Sequence, residues 1–164
     1  MTYIPKRDNK AKNLSLLSMV TGFVLMLLSA VMPYSVVFQV LAFILVIAGV
    51  FLLQRYVLCE YRYIINDKDD GSADFIVYKK QGKNDVKVCH VSLFNVTEIY
   101  KFGERADKNA ARYDYSQNIT DRKYVVAAVD GERNIEVIIE CDEAFAARIG
   151  ERTGGGGGDV TFAM

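Results

Sequence analysis

Asn66-Asp67-Lys68-Asp69-Asp70-Gly71 is the densest run of potential cation ligands in this 164-residue chain. A helix-flanked calcium loop needs oxygen ligands at alternate positions, glycine at the sixth and a bidentate glutamate at the twelfth. Counting from Asn66 places Lys68 at the third position and Val77 at the twelfth, and counting from Asp67 brings Gly71 one place too early. The run therefore reads as a solvated turn between strands. His90 is the only histidine, and its neighbour Cys89 falls on the opposite face of an alternating strand, so the two do not form a nucleophile and base. One histidine and three scattered cysteines lack the spacing of a metal site. The glycine run Gly154 to Gly158 is followed by no Lys, Ser or Thr on a helix and so does not read as a phosphate loop. These residue types assign no catalytic, cofactor-binding or metal-ligating position, and the expectation is a chain that is not an enzyme and carries no cofactor.

Cys59, Cys89 and Cys141 are odd in number, contain no C-x-x-C pair and sit within or beside apolar strand patterns. They read as reduced cysteines packing as small hydrophobes, which favours a reducing compartment. The net charge of zero hides a split. Lys6, Arg7, Lys10 and Lys12 against Asp8 give the first thirteen residues a charge of +3, and the chain after Leu53 carries −3. That later part has no basic stripe, which argues against nucleic acid as a partner, since phosphate contacts need clustered Lys and Arg.

The elements that hold these residues divide in the same way as the charge. Between Asn13 and Gln54 no side chain is charged. The runs 14–32 and 35–53 are each 19 residues long, and a helix of that length spans roughly 28 Å, close to the hydrocarbon thickness of a bilayer. Only Pro33 and Tyr34 separate them, which predicts a tight antiparallel transmembrane hairpin after a basic N-terminus, residues 1–13. A cleavable signal peptide competes for the first run, but the run is long for an h-region and its loss would leave the second helix unpartnered. With basic residues before the first helix, Arg55 and Arg62 after the second and none in the turn, both termini are expected in the cytoplasm of a multi-pass cell-membrane protein. Setting Leu14 level with Leu53 brings Ser18 to Gly49, Leu25 to Ala42 and Ser29 close to Gln39, the only amide in either span. Ser18, Gly22, Ser29, Gln39, Ala42 and Gly49 are then the expected packing positions, since small residues and interhelical hydrogen bonds hold helices together in lipid.

From residue 57 the period changes to two: Cys59, Tyr61, Tyr63 and Ile65 alternate with Glu60 and Arg62. Further strands are expected at 74–79, 86–91, 96–102 and 113–116, and the hairpin 123–129 with 134–140 turns through Asp130-Gly131. Gly103 to Ala111 reads as a mobile loop. Asp142 is placed to cap a helix carrying Phe145 and Ile149 on one face, with Gly150 to end it. The domain is thus bounded at 57–150, and 153–164 reads as a disordered glycine-rich tail.

Seven short strands followed by one helix resemble the pleckstrin-homology (PH) superfold, an α+β arrangement in which a β-barrel or sandwich of antiparallel strands is capped by a C-terminal helix. The two-helix hairpin, Glu60-Tyr61-Arg62-Tyr63, Val91-Ser92-Leu93 with Val96 and Ile99, and Tyr113-Asp114-Tyr115-Ser116 also resemble a family of small bacterial membrane proteins with two N-terminal transmembrane helices and a PH-like domain. That resemblance covers roughly residues 10 to 150 and implies no activity.

The expected function is a membrane-anchored cytosolic module, integral to the lipid bilayer, that binds a protein or peptide near the membrane without catalysis. Strand addition at a sheet edge is a mode open to such a domain. The alternative is recognition of a lipid headgroup, for which Lys79, Lys80 and Lys83 form the only local basic cluster, whereas Asp67, Asp69, Asp70 and Asp74 crowd the first hairpin loop. Asn95-Val96-Thr97 and Asn118-Ile119-Thr120 match the glycosylation pattern but fall in the part expected in the cytoplasm.

Overall fold

A computed structural model describes residues 1–31, 34–69, 71–105, 107–119, 122–153 and 160–162. The chain divides into two compact units, Arg7–Cys59 and a discontinuous one made of Met1–Lys6 with Glu60–Met164.

The Arg7–Cys59 unit is a pair of antiparallel helices, each long and apolar enough to cross a membrane. Helix α1 (Asn9–Leu28) starts five residues before the uncharged run, because the Asp8 carboxylate accepts the Lys10 N–H at 3.1 Å and caps it. It ends at Leu28 rather than Met32: Ser29, Ala30 and Val31 close the last turn onto Leu25, Leu27 and Leu28 carbonyls, a turn ahead of Pro33, which cannot be accommodated inside a helix. The connection is accordingly longer than the expected two residues. Helix α2 (Ser35–Leu52) is entered through Tyr34 at φ 70° and runs on into a π-helical turn, Leu53–Val57.

The helices meet about one turn away from the expected register. Ser15 Oγ donates to the Gly49 carbonyl at 2.7 Å, and Ser18 Oγ donates to Leu45, not Gly49, at 2.7 Å. A Cβ on Gly22 would lie 2.9 Å from the Ala42 carbonyl, and one on Gly49 would lie 2.5 Å from Met19 Cγ and 3.0 Å from the Ser15 carbonyl. Gly22 therefore sits against Ala42, the depth expected for Leu25. The register follows from backbone contact at the two glycines, whereas the expected one assumed helix ends level with the limits of the apolar runs. Ser29 is buried but donates within its own helix, to Met26 at 2.7 Å, and Gln39 is exposed on α2.

In the other unit two sheets form a sandwich that is not closed into a barrel. The first is β1 (Thr2–Tyr3), β2 (Glu60–Asp67), β3 (Ala73–Gln81), β4 (Asn84–Ser92) and β9 (Val160–Phe162), antiparallel in that order. The second has the order β5-β7-β8-β6, from β5 (Val96–Lys101), β6 (Ala111–Asp114), β7 (Lys123–Asp130) and β8 (Arg133–Glu140). It is mixed, since β6 runs parallel to β8. Helix α3 (Glu143–Glu151) packs Phe145 and Ile149 into the core with Tyr63, Phe75, Val91, Val126 and Ile139, all fully buried.

Two of these strands correct the sequence-based expectation. The basic N-terminus is not merely a flank: Thr2 pairs with Ile64 and Tyr3 with Tyr63. The tail is not wholly without structure either, because Val160–Phe162 pairs with β4; residues 154–159 and 163–164 lie outside the described residues. Both strands are too short to show a period. The β7–β8 loop is Gly131-Glu132, one residue later than expected, with Gly131 at φ 59° as the first loop residue, where a two-residue hairpin favours glycine. Gly150 lies inside α3 instead of ending it.

Candidate functional site

Among the described residues, three polar clusters and a stretch of strand edge carry groups able to engage a ligand. The first cluster centres on Asp74. Residues of β3 and β4 that face each other share a side of the sheet, and the pairing of Ile76 with His90 sets His90 diagonally beside Asp74. Asp74 Oδ2 lies 3.0 Å from His90 Nε2 and 2.9 Å from Lys68 Nζ. Burial alone would raise the Asp74 pKa, but hydrogen bonds from His90 and Lys68 outweigh it and hold the carboxyl below its ordinary value. Asp74 Oδ1 is buried with no hydrogen-bond partner among the described residues. Asp67, the other end of the acidic run, pairs with Arg152 at 3.4 Å, so two of the carboxylates already face cations of the chain. Asp70 lies outside the described residues.

A second cluster lies on the outer face of the second sheet, in a cleft of about 530 Å³ lined in part by Thr97, Tyr100, Arg105, Asp107 and Asn134. At its floor Glu136, 2% exposed, accepts from Tyr100 Oη at 2.7 Å, from the Asp107 N–H at 3.0 Å and from Arg112 Nε at 2.6 Å. Burial pushes the Glu136 pKa up, and the three donors more than reverse this, leaving it below the usual carboxylate value. The same pairing, after burial, pushes the Tyr100 hydroxyl up to about 12. A carboxylate so held is an anchor for neighbouring chain. Asn134 Nδ2 also donates to Asp107 Oδ2 at 3.0 Å, and Arg105 grips Glu98 with two contacts of 2.9 and 3.0 Å. In the stretch from Gly103 to Ala111, expected to be mobile, Arg105 and Asp107 make these contacts to β5 and β8; Ala106 lies outside the described residues.

The third cluster is the lysine group at the β3–β4 hairpin. Lys80 Nζ is paired with Glu60 at 2.9 Å, Lys79 is its strand neighbour and so points to the other face, and Lys83 lies in the exposed turn. The three do not converge on one patch.

The strand edge belongs to β4. Pairing slips between Val77 and Tyr78, which face Cys89 and Lys87, so Val88 is the extra residue of a bulge. Its carbonyl accepts from Tyr115 Oη at 3.2 Å. On one side of the bulge, residues 84–87 are exposed; on the other, Cys89 and Val91 are fully buried and His90 between them is half-buried. Burial pushes the Cys89 and Cys141 thiols up to about 12, which suppresses their nucleophilic thiolate forms. Cys59 Sγ donates to the Gln54 carbonyl at 3.2 Å.

Neither the Asp74–His90 pair nor the Glu136–Arg112 pair is visible in the sequence, because partners 16 and 24 residues apart are joined only by strand register. The asparagines of both sequons are buried. Asn118 Nδ2 donates to the Lys6 carbonyl and to Glu140 Oε1, each at 2.7 Å, tying the N-terminal segment to the second sheet.

No curated protein and no solved structure gives a significant match to the chain. The model of the family described as Bacterial PH-like domain (DUF6106) matches residues 3–153, from β1 to the end of α3, and the chain belongs to that family.

Proposed function

We propose that the chain is a membrane-anchored interaction module whose PH-like domain lies in the cytosol and binds a protein or peptide close to the bilayer. The observation that carries this reading is the pairing of β1 with β2. The two strands flank the helical pair in sequence yet share one sheet, so a hairpin entering the bilayer between them leaves it on the side it entered. Lys6, Arg7, Lys10 and Lys12 before the hairpin and Arg55 and Arg62 after it favour the cytoplasmic side. The connections are short: Arg7 and Asp8 stand between the domain and α1, and Leu58 and Cys59 between the π turn and β2. A partner is therefore met near the headgroups.

The arrangement of polar groups supports a protein over a lipid headgroup. An anionic headgroup needs several convergent cations, whereas Lys80 is engaged by Glu60 and Lys79 points to the face opposite it.

Two measurements on the full chain test the reading. With Cys59→Ser and Lys83→Cys, a membrane-impermeant maleimide should label the protein only after cells are lysed; labelling of intact cells overturns the cytosolic assignment. A photoreactive residue at position 83 in native membranes should give protein adducts. Lipid adducts alone would overturn the choice of partner.

A further inference from the structure

The inner half of β4 is an edge already engaged in strand addition. Cys89 faces Phe162, His90 faces Thr161 and Val91 faces Val160 across an antiparallel ladder. The backbone at Cys89–Val91 is thus geometrically able to receive an added strand. Its occupant is three residues long, pairs among the described residues with β4 alone, and is joined to Thr153 by six residues of which five are glycine.

Such a strand is weakly bound. A few backbone hydrogen bonds exchanged from water are set against the conformational entropy of ordering three residues, and what keeps the strand in place is the high effective concentration given by a short covalent link. The family match ends at residue 153, so β9 lies outside the matched region. The exposed half of β4 is guarded by Asp85 and Lys87 and by the bulge at Val88, devices that discourage edge pairing. The inner half has no Asp, Glu, Lys or Arg between Cys89 and Ser92, and Asp74 Oδ2, 3.0 Å from His90 Nε2, holds the imidazole in place.

We propose that the β4 edge at Cys89–Val91 is a peptide-docking site, that Val160–Phe162 is its built-in competitor, and that the partner is an extended segment which adds to this edge by displacing the tail. The ligand has the pattern apolar, polar, apolar. Its outer positions fall opposite the buried Val91 and Cys89 and its central one opposite His90, as Val160, Thr161 and Phe162 do in register. This rests on the interaction-module reading and names the edge and the segment it recognises.

The test uses the full chain in detergent micelles and a chain lacking residues 154–164. The probe is a fluorescent peptide of the tail sequence, Gly158 to Met164, read by anisotropy, with a peptide carrying both Val160→Pro and Thr161→Pro and empty micelles as controls. The truncated chain should bind the peptide at least about tenfold more tightly than the intact chain, whose tail competes from a tethered position. Full chain carrying both Val160→Pro and Thr161→Pro should behave like the truncated one, because successive N–H groups of a strand point to opposite sides, so one of the two prolines faces β4 and cannot donate to the ladder. Amide exchange at Cys89–Val91 should quicken on truncation and slow again with peptide. No binding to the truncated chain, or binding equal to that of the proline peptide, overturns the docking site. Equal affinity for intact and truncated chains overturns the competitor. Position-83 protein adducts in native membranes separate the two levels: if they persist when the peptide fails to bind, only the β4 site is lost, and if they are absent the interaction-module reading falls as well.

Discussion

The Tyr3 ring is stacked on Tyr63 with centroids 6.3 Å apart and planes inclined by 5°, joining a residue ahead of the helical pair to the core strand behind it. Tyr3 also lies 5.3 Å from the Phe145 ring of α3, so it closes the end of the core that α3 covers. Tyr63 in turn bridges the sheets, donating to the Tyr115 carbonyl at 2.8 Å and accepting the Glu140 N–H at 3.3 Å.

Tyr3→Ala should destabilise the β domain by about 2 kcal/mol, below the cost of a fully buried aromatic because Tyr3 is half-exposed. Removal of residues 2–6 should cost more, since it also uncovers the edge of β2 and takes away the Lys6 carbonyl that Asn118 binds. Thermal unfolding of the full chain in detergent would check both. It follows that a fragment starting at residue 57 is missing part of its own sheet; an unfolding midpoint for that fragment equal to the full chain's would contradict the structural role of β1.

The helix register predicts which cysteines form crosslinks. In a Cys59→Ser background, the pair Ser18→Cys with Leu45→Cys should oxidise readily, and Ser18→Cys with Gly49→Cys, one turn out of register, should not. Adding Gly49→Leu to the first pair should abolish the crosslink, because even a Cβ there meets Met19 Cγ at 2.5 Å and the Ser15 carbonyl at 3.0 Å. Gel mobility after mild oxidation reads all three.

What was legible in the sequence is what repeats locally. Alternation of Tyr61, Tyr63 and Ile65 marked β2, the apolar runs marked the helical pair, and Asp142 with Phe145 and Ile149 marked α3 and its cap, whose carboxylate accepts the Phe145 N–H at 2.8 Å. What stayed hidden depends on register or on strands too short to repeat. Thr2-Tyr3 and Val160–Phe162 hold two and three residues and acquire meaning only from the edges they meet. Glu136, in an alternating strand, looks like a solvent-facing residue; it is buried because Asp107 and Arg112 fold back over that face. The helix register differs from the expected one for a related reason. Run limits mark where the apolar stretch ends, whereas the glycines decide where two backbones touch.

Gly150→Ala should stabilise the domain by about 0.5–1 kcal/mol, the usual helix-interior difference between the two residues. The site is helical, and an added Cβ would rest 3.5 Å from Ile99 Cγ2, an ordinary van der Waals contact. A higher unfolding midpoint is expected. A lower one would mean that α3 must approach β5 more closely than this contact allows.

Glu136→Gln tests whether the second-sheet cleft is held together by charge. The substitution keeps shape but replaces an ionised acceptor with a neutral amide that offers one oxygen to three donors, at a cost of about 1–3 kcal/mol near pH 7. The pH dependence separates this from a packing defect. The folded-state pKa of Glu136 is below its ordinary value, so the stability it contributes is complete above the unfolded pKa of about 4.3 and is lost as pH falls through the lower folded value. Glutamine does not titrate. The gap in unfolding free energy between wild type and Glu136→Gln should therefore be constant from about pH 7 down to about pH 5 and close as the pH drops below about 4. Asp74 and Asp107 are lowered too and shape the acid limb of both proteins, which is why the difference between the curves, and not either curve alone, reports on Glu136. Arg112→Lys should reproduce part of the loss by removing the Nε contact at 2.6 Å while keeping a positive charge. If the gap instead stays constant into acid, the cost of Glu136→Gln is steric, and the stretch around Asp107 is held by its bond to Asn134 and not by the buried carboxylate.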